Sequence, residues 1–163
     1  MSILNFENRT PRTLQEMYDY MLDCRKTDAP GIFGLGVNPP CAVMEMEFVQ
    51  GLYFRDQLFH PYVQVIFAFD VGITLDVFAL RPICMEIGRC LVTDERQVLG
   101  AIHYKGTDKK HCHYLINYVG MNGNLYRQRY SVIFYKDRVN SILEQHGLCP
   151  VEYYGREALH RVG

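Results

Sequence analysis

The 163-residue sequence predicts an α+β fold: a two- or three-layer sandwich with a central antiparallel sheet of about five strands, flanked by helices. Three observations predict it. Segments with apolar residues at helical spacing alternate along the chain with short runs rich in β-branched and aromatic residues. Thr13-Leu-Gln-Glu16 is a capping box that opens the first helical segment. Asn122-Gly123 follows a strand-like run and is the turn chemistry that joins antiparallel neighbours.

The first helix is expected over 13–24. Leu14, Met17, Tyr18, Met21 and Leu22 fall at i, i+3, i+4, i+7 and i+8 and form its apolar stripe. Tyr18 therefore points to the core. Tyr20 lies about 200° further around the helix and shares the polar side with Glu16 and Asp23. The Gly/Pro-rich stretch 30–40 reads as a loop, and a second helix is expected over 41–53. A strand over 61–69 follows, then a helix over 75–91 in which Pro82 should delay the start or bend the axis. Strands are expected over 97–104 and 111–119. The Met121-Asn-Gly-Asn124 turn should lead into a returning strand over 125–129. Val132, Tyr135, Val139, Ile142, Leu143 and His146 share a face of a last helix, which Gly147 can terminate. No repeat is visible, and the length suits one domain over 1–163.

Hydrophobic content of 48% with 21% charged residues belongs to an ordinary globular chain. The six cysteines show no Cys-x-x-Cys pair, which points to reduced thiols in a cytosol rather than to disulfides. The longest apolar run, Val63 to Phe69, is too short to span a bilayer, and no hydrophobic leader opens the sequence. A cytoplasmic protein without a membrane partner is the expectation.

The chemistry concentrates in His103-Tyr-Lys-Gly-Thr-Asp-Lys-Lys-His111-Cys-His113-Tyr-Leu-Ile-Asn117. Alternation along a strand sends His111, His113, Leu115 and Asn117 to one face and Cys112, Tyr114 and Ile116 to the other. Pairing with the preceding strand lets His103 add a third nitrogen. Three neutral imidazoles leave positions open for water or substrate, the pattern of a catalytic rather than a structural metal site. A lone strand histidine is usually an ordinary polar residue. The third histidine and the trailing amide favour the metal reading.

The His-x-His with Asn four positions later and a histidine eight positions upstream resembles the metal motif of conjugative and mobilisation relaxases, in the HUH endonuclease superfamily. Tyr20-Met-Leu-Asp-Cys-Arg-Lys26-Thr27 resembles the family's first motif, in which a nucleophilic tyrosine precedes a short polar stretch ending in Lys-Thr. Weaker collinear similarities run from about residue 13 to 155, among them His60-Pro-Tyr-Val-Gln-Val-Ile-Phe-Ala-Phe69, Glu86-Ile-Gly88 and Gln145-His-Gly147-Leu148.

The resemblance implies an HUH relaxase-like fold with Tyr20 as nucleophile and His103, His111 and His113 holding a divalent cation. Mg²⁺ or Mn²⁺ is the family's metal, although imidazoles equally suit zinc or another transition metal. It implies single-stranded DNA at the origin of transfer of a plasmid or integrative element as substrate, with accessory DNA-binding and coupling proteins as partners in a bacterial cytoplasm. Asn117 is implied as a hydrogen-bonding support of the site rather than a ligand. Many relatives carry an acid two positions after the upstream histidine, where this chain has Lys105; Asp108 in the same loop is the candidate substitute.

The formal net charge is −1, without the basic excess that usually marks a DNA-binding domain. Any DNA contact must come from local clustering. Arg25, Lys26, Lys105, Lys109 and Arg127, with Lys110 and Arg129, come from segments expected near the metal, and they are either its basic rim or scattered solvated charges. A free phenol titrates at about pH 10 and needs a base or cation to attack at neutral pH. The expected reaction is metal-assisted transesterification that leaves a 5′-phosphotyrosine link. Two alternatives stay open: a metal-dependent nuclease using water, and a catalytically impaired relaxase homologue that only binds single-stranded DNA.

Overall fold

The computed structural model describes residues 1–7, 12–56 and 60–153. Thr13 caps helix α1 (Leu14–Met21) with both halves of the capping box formed: the Glu16 N–H donates to Thr13 Oγ1 at 3.1 Å, and the Thr13 N–H donates to Glu16 Oε2 at 2.7 Å. The helix stops at Met21, short of residue 24. Beyond it Asp23 accepts the Arg25 N–H with its carboxylate and the Lys26 and Thr27 N–H groups with its carbonyl, a turn that competes with further helix. Leu14, Met17 and Met21 are buried, while Tyr18 is only half-buried.

Helices α2 (Ala42–Leu52), α3 (Val77–Cys90) and α4 (Val132–Gln145) follow the expected order. Asp76 caps α3, which starts at Val77 and runs through the exposed Pro82. Ser131 caps α4, and Gly147 just beyond it adopts φ +66°.

Strands β1 (Ile3–Glu7), β2 (Ile32–Leu35), β3 (Tyr62–Ala68), β4 (Val98–His103) and β5 (His111–Asn117) form one sheet in the order β1-β3-β5-β4-β2, with every neighbour antiparallel. Neither edge strand is among those the sequence predicts. β2 hides in the Gly/Pro loop between two 3₁₀ turns, and its Gly34 is required because a Cβ there would lie 1.9 Å from the Val37 carbonyl oxygen. The expected return strand over 125–129 shrinks to a single Val119–Leu125 bridge. The Arg96 guanidinium binds the carbonyls of Asn117, Tyr118 and Asn124 at 2.9, 2.6 and 3.0 Å and so ties this turn together, sharing Tyr118 and Asn124 with the Tyr126 and Gly120 N–H groups.

Antiparallel register makes the sheet two-faced. One face carries Val65, Phe67, Ile102, Tyr114 and Ile116 and packs against Leu80, Ile87, Tyr135 and Val139 of α3 and α4. Each such buried apolar side chain contributes roughly 1.5–3 kcal/mol. The other face carries Tyr62, Leu99, Ala101 and Leu115 under α1 and α2, and continues into the histidines. The result is a three-layer α+β sandwich. Among the described residues no helix is long and apolar enough to cross a membrane.

Candidate metal centre

β5 is the central strand, so its side chains are buried on both faces and its register with β4 sets the site. His103 pairs directly with His111 at the β4–β5 turn, and His113 lies opposite Ala101. The three rings converge, with centroids 5.0 Å (His103–His111), 4.4 Å (His103–His113) and 5.1 Å (His111–His113) apart. One nitrogen from each lies within 4.8 Å of the others. A tetrahedral ion with bonds of about 2.1 Å needs nitrogens about 3.4 Å apart, so modest ring rotations close this set on a cation.

The far nitrogen of each ring is already engaged. His103 Nε2 lies 2.8 Å from the Met21 carbonyl. Met21 is the last residue of α1, so its carbonyl has no helical donor and takes the imidazole N–H instead. His111 Nδ1 donates to the Lys109 carbonyl at 2.9 Å. These bonds leave His103 Nδ1 and His111 Nε2 as lone pairs. His113 Nδ1 lies 2.9 Å from the Gln64 side-chain nitrogen Nε2, and its own Nε2 is buried with no hydrogen-bond partner. A half-turn of that amide, which exchanges its nitrogen and oxygen at no change of shape, lets Nδ1–H donate to Gln64 Oε1 and makes Nε2 the third lone pair.

Leaving such a nitrogen buried and unsatisfied costs about 1–3 kcal/mol, and a cation removes that penalty. The residues therefore fit a divalent metal. Burial brings His103 down to about 4 and His113 down to about 2, the latter assisted by the other two histidines, Lys26 and Arg12. Both rings are neutral at physiological pH, as ligation requires.

Tyr20 comes from the last turn of α1, held there by the Met21–His103 bond. Its ring sits edge-on to His103 and His113 at centroid distances of 5.9 and 5.5 Å. Lys26 Nζ stands 3.6 Å and the Arg12 guanidinium carbon 4.2 Å from the Tyr20 ring centroid. The main chain of Lys26 is tied to the end of β4, where its carbonyl accepts the N–H groups of Tyr104 and Lys105.

Other sequence expectations are redirected. Asn117 is fully buried but is not part of the histidine cluster. It donates to Gln97 Oε1 (2.9 Å) and the Met46 carbonyl (3.3 Å), and it accepts from Gln50 Nε2 (3.0 Å) and the Val119 N–H (3.1 Å). It joins α2, β5 and the chain entering β4 at the opposite end of β5. Asp108 is exposed, and all three outer imidazole bonds go to other groups. Lys105 pairs with Asp28 at 2.9 Å and donates to the Cys24 carbonyl, so it stabilises the turn after α1. Arg25 grips Asp23 from an 85% exposed position. Lys109 contributes its carbonyl to His111, and Lys110 donates to the Leu75 carbonyl. Arg127 and Arg129 lie at the far end of the sheet, where β5 finishes, beside Arg96 and Asn124. Of the expected basic rim, Lys26 stands over Tyr20.

Two further residues of the site are not marked by any sequence motif. Gln64 is a polar residue within the otherwise apolar run Tyr62–Ala68, and that break is its one signal. Arg12 precedes the capping box and carries none.

The family model described as "Relaxase: MobA/VirD2-like, nuclease domain" matches residues 14–148. A solved chain from "Molecular Basis of Vancomycin Resistance Transfer in Staphylococcus aureus" superposes with a TM-score of 0.53 at 15% identity, covering 80% of this chain and 77% of that one. At that identity the likeness is one of fold. No curated protein matches the sequence. The three-layer sandwich, the convergent histidines and the family match over most of the chain agree: the protein belongs to the MobA/VirD2-like relaxase nuclease family.

Proposed function

We propose that this relaxase-family domain nicks single-stranded DNA at an origin of transfer by transesterification, with Tyr20 as nucleophile, and so starts conjugative transfer or mobilisation in a bacterial cytoplasm. The observation that carries the reading is the orphaned, buried His113 Nε2 inside a three-histidine cluster whose other nitrogens are tied back. A divalent ion on His103, His111 and His113, Mg²⁺ or Mn²⁺ by family, would polarise a non-bridging oxygen of the scissile phosphate.

The protein's own groups do the rest. The Tyr20 oxygen bonds to phosphorus as the bond to the 3′ oxygen breaks, and the phenol proton is balanced by the proton the leaving 3′ hydroxyl takes up. Lys26 and Arg12, placed against the Tyr20 ring, supply positive charge where a phenolate and a pentavalent phosphate develop. Because the phosphoester energy stays in the tyrosine link, the strand can be rejoined. Accessory DNA-binding and coupling proteins are the partners this role would require.

The test is mass spectrometry after incubation with an origin-strand oligonucleotide and Mn²⁺. A nucleotide-bearing peptide containing Tyr20, absent in Tyr20→Phe, is the expected result. Cleavage retained by Tyr20→Phe without an adduct would replace the proposal with a water-using nuclease. Binding without cleavage across several divalent ions would replace it with a DNA-binding homologue that has lost its chemistry.

A further inference from the structure

A cleft of about 400 Å³ opens at the end of the sheet where β4 begins and β5 finishes, away from the His103–His111 pair. Four guanidiniums line it (Arg55, Arg96, Arg127 and Arg129) against one carboxylate, Asp94. Asp94 is spent on Arg96, which it holds through Nε at 3.0 Å and a second nitrogen at 2.9 Å. Arg96 is buried and also binds the three carbonyls of the 117–124 turn, so it builds the floor of the cleft. Arg55, Arg127 and Arg129 are exposed, and no hydrogen bond or ion pair engages their side chains among the described residues; Arg129 acts on Asp94 only through space.

Phe54 stands beside Arg55 in the chain with 92% of its surface exposed and φ +55°. A bulky residue in the left-handed region is strained by about 1–3 kcal/mol, and here that conformation accompanies an aromatic ring exposed to water. The neighbouring Tyr53 anchors the segment to the cleft, with its hydroxyl donating to the Met121 carbonyl at 2.7 Å and its ring against Gly123.

Resting on the strand-nicking proposal, we propose that this cleft is a second contact for the DNA. Arg55, Arg127 and Arg129 bind backbone phosphates of a single strand, and Phe54 stacks on one of its bases. Unpaired bases offer their faces to a protruding ring, whereas a duplex hides them. From His113 to Asn117 is about 13 Å along β5, or about four nucleotides at roughly 3.4 Å per phosphate of a stacked strand. An oligonucleotide of about two nucleotides therefore cannot hold both places at once, while one of about sixteen can.

Fluorescence anisotropy with labelled oligothymidylates of these two lengths tests the assignment, using the full chain, a NaCl series and far-ultraviolet circular dichroism to confirm folding. For the longer probe, R55Q/R127Q/R129Q should weaken binding at least tenfold and flatten the log–log salt slope by about 2, near 0.7 for each phosphate no longer neutralised. Phe54→Ala should weaken the same probe about tenfold with the slope unchanged. The short probe, which the histidine site still holds, should lose far less than the long one, and Mn²⁺ affinity by calorimetry should not respond. Wild-type affinity and slope in the folded triple variant would overturn the cleft assignment, and the nicking proposal would survive if wild type still forms the Tyr20 adduct. An equal loss on a duplex would overturn the single-strand assignment. Failure of wild type to bind either probe would overturn the cleft assignment, while the nicking proposal would still be decided by the Tyr20 adduct on the origin-strand oligonucleotide.

Discussion

Replacing Asn117 by alanine separates a fold support from a metal support. The side chain has no exposure and satisfies four groups. Gln50 Nε2 keeps a second acceptor, the Pro61 carbonyl at 2.9 Å, and the Met46 carbonyl lies inside α2. Two buried groups are left alone: Gln97 Oε1 and the N–H of fully buried Val119. At about 1–3 kcal/mol for each, the expected loss is about 4 kcal/mol. For a chain of this size that lowers Tm by roughly 10 °C. Differential scanning calorimetry with excess chelator measures it, and calorimetric titration with Mn²⁺ at a temperature where the variant is folded should show unchanged affinity. A Tm within about 2 °C of wild type, or a tenfold loss of Mn²⁺ affinity without a Tm change, would refute the hub assignment and restore Asn117 to the metal site.

Gln64→Leu removes the group that orients His113, so Mn²⁺ affinity should fall about 10–100-fold; unchanged affinity in the titration would mean that Gln64 merely packs. Acid should destabilise the metal-free protein in a defined window. His103 and His113 titrate at about 4 and about 2 when folded but at the ordinary 6.5 when unfolded, so below 6.5 the unfolded chain takes up protons that the folded chain refuses. Stability present above pH 6.5 is then lost as pH falls, by roughly 3 kcal/mol from His103 alone once below pH 4, and urea midpoints that stay flat from 6.5 to 4 would contradict the burial of these rings. Gly100→Ala would drive a Cβ to 2.1 Å from the buried Phe33 ring and should cost about 1–3 kcal/mol; an unaltered urea midpoint would show that β2 can shift to accommodate it.

Much of this arrangement is legible in local chemistry. The Thr13–Glu16 box starts α1 where it is written, because capping needs residues only three apart. The period-2 alternation of 111–117 puts His111 and His113 on one face whatever lies across from them. Other features are set by what the register brings together. β1 and β2 are short edge strands stabilised by their neighbours, too weak in pattern to stand out alone. Asn117 shares the histidines' face, yet at four residues' distance it meets α2 and Gln97 instead of the rings. Lys105 and Arg127 carry the same kind of charge as Lys26, but one lies against Asp28, one lies at the far end of the sheet, and Lys26 alone among them reaches the Tyr20 ring. Periodicity tells a side chain which face to occupy. Its partner is chosen by residues tens of positions away, through packing and strand register that no local pattern encodes.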